Sequence, residues 1–90
     1  MNKAIITVIG EDTVGIIARV CTYLSDNHVN VLDISQTIVD GLFNMMMVVD
    51  YSTSDANFED ISRELEIVGE EIGVRVRMQR EEIFTTMHRI

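Results

Sequence analysis

From Lys3 to Ile9 the chain is short, apolar and β-branched, and Gly10-Glu11-Asp12-Thr13 follows as a loop ending in helix-capping residues, so this first run reads as a strand. After it the period changes. Val14, Ile17, Val20, Cys21 and Leu24 fall three or four residues apart, which predicts an amphipathic helix that ends at Ser25-Asp26-Asn27-His28. Asn30 to Val39 has a two-residue rhythm, Asp40-Gly41 is a strong hairpin signal, and Leu42 to Tyr51 returns as a further strand.

The hairpin can be laid out by arithmetic. A two-residue turn at Asp40-Gly41 pairs Val39 with Leu42 and Ile38 with Phe43, and so on outward. Leu32, Ile34, Gln36 and Ile38 then share a face with Phe43, Met45, Met47, Val49 and Tyr51, the expected core side. The other side carries Asp33, Ser35, Thr37, Asn44 and Asp50 among apolar residues. Such one-sided burial belongs to an antiparallel sheet with helices on a single face.

Past the polar connector Ser52 to Asn57, the residues Phe58, Ile61, Leu65, Val68 and Ile72 make one helical stripe. Asn57 is placed to cap this helix, Glu59 and Asp60 suit its positive end, and Gly73 is placed to stop it. Val74, Val76 and Met78 alternate with Arg75, Arg77 and Gln79 as a fourth strand, and Glu81 to Arg89 reads as a short terminal helix. The order βαββαβ is that of an α+β, ferredoxin-like sandwich: a four-stranded antiparallel sheet with two helices on one face, plus a short C-terminal helix. The expectation is one domain over residues 1–90, with a core over about 3–80 and a helical tail over 81–90.

Composition agrees with a folded domain and narrows its partners. The chain is 47% apolar and 24% charged, with no proline. Ninety residues hide only about 60–65% of the unfolded surface, which favours pairing with a second copy. Seven cations against fifteen carboxylates give a net charge of −8, so neither nucleic acid nor an anionic membrane is an expected partner. No stretch approaches the roughly 18 apolar residues of a membrane span, and the N-terminal run lacks a cleavage site, so the expected location is the cytoplasm.

Most chemistries hosted by this topology lack their residues here. Soft-metal carriers need paired thiolates after the first strand, whereas Cys21 is alone and on the helical stripe. Acylphosphatases need an arginine in the anion loop, where this chain has Glu11 and Asp12. RNA-binding sheets need aromatics on the open face. His28 and His88 lie at a helix end and in the tail, Glu81, Glu82 and His88 do not repeat at metal-ligand spacing, and Met45, Met46 and Met47 point to alternate faces of a strand. The expectation is no catalytic residue, no metal and no cofactor.

The loop from Gly10 to Gly15 remains. A helix N-terminus offers free N–H groups to a carboxylate, and Glu11 and Asp12 can receive an ammonium, a combination suited to a zwitterion. An equally simple reading has Asp12 or Thr13 capping the helix and Gly15 relieving crowding.

Ile5-Ile6-Thr7-Val8-Ile9-Gly10-Glu11-Asp12-Thr13-Val14-Gly15-Ile16-Ile17, followed by Val29-Asn30-Val31-Leu32-Asp33-Ile34-Ser35-Gln36, resembles the ACT domain. The family's acidic residue, two positions, glycine and branched residue are matched by Asp12, Thr13, Val14, Gly15 and Ile16, and its asparagine at the start of strand two by Asn30. The whole chain is similar to small free-standing bacterial ACT proteins, and these to ACT regulators of glycine-cleavage gene expression. The resemblance implies a non-catalytic homodimeric module that binds an amino acid between the first loop of one subunit and its neighbour, and signals to a partner protein. Carried over, the ligand contacts are Glu11, Asp12, Thr13, Val14, Gly15 and Ile16 from the loop, with Asn30 and Val31 reaching across. Asn30 also has a plain reading as a turn residue. Val14 stands where the family often has proline, and the expectation is a module with no catalytic domain attached. Either the target is a separate protein or ligand binding has been lost, which leaves a ligand-free dimerisation adaptor as the alternative.

Overall fold

A computed structural model describes residues 2–11 and 15–80. Its elements are β1 (Lys3–Glu11), α1 (Ile16–Asp26), β2 (Asn30–Val39), β3 (Leu42–Asp50), α2 (Phe58–Ile72) and β4 (Arg75–Arg80). The four strands form one antiparallel sheet in the order β2-β3-β1-β4, the expected ferredoxin-like arrangement. The terminal helix expected after Arg80 lies outside the described residues.

Local chemistry fixes the boundaries. Asp40 and Gly41 both take positive φ, 52° and 77°, as the tightest β-hairpin turn requires, and Val39 pairs with Leu42 and Ile38 with Phe43. The Asn57 side chain accepts a hydrogen bond from the Asp60 N–H at 2.8 Å, and Gly73 closes α2 in the left-handed conformation. Arg19 of α1 pairs with Glu71, which ties the first helix to the last turn of the second.

The core lies between the helices and one sheet face. Ile6, Val8, Met45, Met47, Val49 and Val76 meet Ile16, Val20 and Leu24 from α1 and Ile61 and Leu65 from α2. At Gly69 the backbone of α2 comes so close to β4 that an added Cβ would lie 2.8 Å from the Val74 carbonyl oxygen. Gly10 is similarly crowded by the Val74 side chain, so this pair of glycines sets how closely β1, β4 and α2 approach.

Three expectations are corrected. The buried stripe of α1 is Ile16, Val20 and Leu24, while Ile17 is 39% exposed. Adjacent isoleucines fit a helical stripe in either phase, and the start of the helix at Ile16 selects the first. Along β2 the two-residue alternation breaks at Leu32: Asp33 pairs with Val48 but Val31 pairs with Val49, leaving Leu32 as a bulge. Val31 therefore takes the core-side place expected for Leu32 and packs against the core, half-buried. Finally, β2 is not covered. Leu32, Ile34 and Ile38 are 42%, 44% and 53% exposed because β2 is the outermost strand and α1 barely overlaps it.

Candidate functional site

Gly15 is the N-cap of α1, with φ of 91°, and its carbonyl accepts the Arg19 N–H at 2.9 Å. Among the described residues no side chain caps this helix. Ile16 is buried beneath the first turn, and Glu11 is exposed at the end of β1. Asp12, Thr13 and Val14 lie outside the described residues, so both the ammonium role and the capping role suggested for this loop rest on the sequence.

Asn30 and Val31 stand elsewhere. Glu11 is aligned with Leu42 at one end of β3, and Asn30 with Asp50 at the other. Those eight steps of strand span about 27 Å. Gly15 starts α1 and Asn30 follows its end, so these two candidate residues occupy opposite ends of that helix. Within one chain they cannot touch the same small molecule.

Asn30 and Val31 instead line a groove of about 410 Å³ between the second half of α1 and the start of β2. Its polar rim is Ser25, His28, Asn30 and Thr53, and Leu24, Val29 and Val31 give it an apolar floor. Half-buried Cys21 also borders it. His28 is held in a left-handed conformation with φ of 59°. Its N–H donates to the Ser25 carbonyl at 3.1 Å, and its own carbonyl accepts from Thr53 Oγ1 at 2.9 Å. Ser25, His28 and Thr53 are not among the residues marked out by the sequence, because the groove joins segments that are 25 residues apart. The available signal was a histidine immediately after a helix end, where glycine is usual.

Elsewhere the electrostatics hold the helices together. Tyr23 donates its hydroxyl to a Glu64 carboxylate oxygen, and burial, followed by that bond, pushes the phenol well above its ordinary range. Arg80 lies over the Phe58 ring at 4.2 Å and pairs with Glu59 at 3.1 Å, fastening the end of β4 to the start of α2. Among the described residues no three of His, Cys, Asp and Glu converge as a metal site would need, and no helix is long and apolar enough to cross a membrane.

The two edges of the sheet differ. The β4 edge carries Arg75, Arg77 and Arg80, the kind of charged edge that resists further pairing. The β2 edge has neither lysine nor proline, and from Leu32 to Val39 every residue is exposed. The fold is thus a split-βαβ sandwich with one arginine-bearing edge, one edge without cations, and a helix that starts at a glycine. The chain belongs to the ACT domain family, whose sequence model matches residues 2–79.

It is 71% identical over 90 residues to a UPF0237 protein of Bifidobacterium longum, with both chains covered in full. The solved ACT domain protein from Streptococcus pneumoniae superposes with a TM-score of 0.82 at 40% identity, covering 92% of this chain and 93% of that one. The ligand-free regulatory subunit of aspartate kinase from Thermus thermophilus gives 0.67 at 26% identity, covering 87% of this chain and 50% of that one. ACT domains are typically regulatory ligand-binding modules of amino-acid metabolism, and they commonly dimerise.

Proposed function

We propose that this protein is a non-catalytic homodimeric sensor, in which two chains together hold an amino acid or similar small metabolite and the bound dimer signals to a partner protein. One observation carries the reading: Gly15 at the start of α1 and the asparagine at the start of β2 are at opposite ends of that helix, with the β2 edge running between them.

Antiparallel pairing of two β2 edges solves this geometry. In a full-length register, residue 30 of one copy comes opposite residue 39 of the other. Val39 pairs with Leu42 and Leu42 with Glu11, so Asn30 arrives at the hairpin end of its neighbour, where Gly15 begins α1. Pairing would satisfy the unpaired backbone groups of β2 and cover Ile34 and Ile38 together with the exposed Ile17 of α1. Each ligand would then meet free N–H groups and carboxylates from one chain and a side-chain amide from the other, which suits a carboxylate and an ammonium at once. Ligand that bridges two chains also strengthens their association, and that linkage is a means of signalling.

The test is a thermal-shift panel of the twenty amino acids on the full chain. A ligand at about 100 times its dissociation constant adds about 2.7 kcal/mol, a shift of several degrees for a domain this small. Asp12→Ala and Asn30→Ala should each abolish the shift. A response flat across the panel, with the dimer still present, favours the second reading, a ligand-free adaptor. The exposed isoleucines of β2 would then serve protein contacts alone.

A further inference from the structure

We propose that the groove beside Asn30 is the specificity pocket of the sensor, and that it accepts the short, uncharged, hydrogen-bonding side chain of an amino acid, with His28 as the residue that selects it. This deepens the sensor reading and rests on it.

The size and lining of the groove argue for this class of ligand. Its volume, about 410 Å³, suits a small molecule. Among the described residues no aspartate, glutamate, lysine or arginine lines it, although these make up 24% of the chain. A charged side chain entering the groove would shed water with no countercharge to receive it. Ser25 and Thr53 hydroxyls, the His28 imidazole and the Asn30 amide offer both donors and acceptors, above the apolar floor of Leu24, Val29 and Val31. A hydroxyl or carboxamide on one or two carbons meets both kinds of surface.

The backbone at His28 supplies an independent argument. Asn27 caps α1, and the Val29 N–H then reaches back to the Leu24 carbonyl at 2.9 Å, so His28 occupies the left-handed position where helices most often end in glycine. A side chain there strains the backbone, whereas Gly73 at the equivalent place after α2 avoids the strain. At the end of α1 the imidazole is kept despite that cost, at the rim of the groove and with its carbonyl pinned by Thr53. Strained backbone of this kind is characteristic of ligand clamps.

Antiparallel β2 pairing also brings the partner's glycine-started helix to this end of the chain. The amino and carboxylate groups of the ligand would face that helix start while its side chain enters the groove.

The test combines isothermal titration with thermal denaturation of the full-length protein, using L-serine, L-threonine, L-asparagine, L-glutamine, L-aspartate, L-glutamate, L-lysine and L-arginine as probes. The expected result is binding of one or more of the four neutral probes and none of the charged ones. His28→Gly should raise the melting temperature of the free protein by several degrees while weakening the binding at least tenfold. His28→Ala, which keeps the strain, should weaken it equally with no gain in stability. Preference for a charged probe, or unchanged affinity in both His28 variants, overturns the specificity pocket and leaves the sensor reading standing. Absence of binding by all eight probes likewise overturns the specificity pocket, and only a flat response across all twenty amino acids overturns the sensor reading itself.

Discussion

Gly15 and Asn30 face the solvent at opposite ends of helix α1, and the strand that connects those ends, β2, is the edge of the sheet that carries no lysine or arginine. The proposed dimer follows from that relationship, because a twofold axis through β2 exchanges the two ends and sets one residue of each kind at both of them.

Ile34 lies on the helix side of β2 opposite Met47, but it is 44% exposed where Met47 is fully buried. Ile34→Lys should therefore leave the stability of the isolated fold within about 0.5 kcal/mol. In a β2-paired dimer the same change sets two cations near the axis. Light scattering should show a mass falling from twice 10.2 kDa towards 10.2 kDa, with circular dichroism unchanged. An unaltered mass would mean that β2 is not the contact.

Gly69 is buried against β4 and has no room for a methyl group, since the Val74 carbonyl oxygen lies 2.8 Å from the position of its Cβ. Gly69→Ala would ordinarily favour a helix, but here it should destabilise the protein by about 1–3 kcal/mol in urea unfolding. A neutral or stabilising effect would show that α2 and β4 are farther apart than described.

Tyr23 and Glu64 provide a pH-dependent link between α1 and α2. The phenol is held protonated in the folded state, its pKa raised above the ordinary 10 first by burial and then by the carboxylate. Folded protein therefore binds the proton more tightly than unfolded protein. The stability advantage is complete below pH 10 and declines as the pH rises beyond it. The difference in stability between wild type and Tyr23→Phe should be constant from pH 7 to 9 and shrink above pH 10, as urea midpoints at each pH would reveal.

Much of the fold was legible in the sequence because its signals are local. Asp40-Gly41 determines the hairpin turn and the first pairs after it, and Asn57 and Gly73 bracket α2. Legibility ended where two arrangements suit the same residues. Ile16 and Ile17 fit the same stripe, and Leu32 and Val31 compete for one place beside Val49, so the phase of α1 and the bulge in β2 are settled only by tertiary packing. The exposure of Ile34 and Ile38 was hidden for another reason: alternation identifies a face but not whether a helix extends far enough to cover it. For the candidate site, residue types and family pattern marked Gly15 and Asn30. The groove at His28 could not be read, because Thr53 joins it only after the sheet has formed.

The central claim, one ligand site assembled from two chains, is tested most directly by mixing two defective variants. Asp12→Ala and Asn30→Ala protein, each without binding alone, are unfolded together in equal amounts, refolded, and titrated with the amino acid that gives the largest shift in the panel. If the site is shared, half of the dimers are mixed and each mixed dimer has one site with both residues intact. About a quarter of the wild-type capacity should then return, at wild-type affinity. No recovery in a mixture shown by mass spectrometry to contain mixed dimers would place Asp12 and Asn30 in separate roles and contradict the shared site.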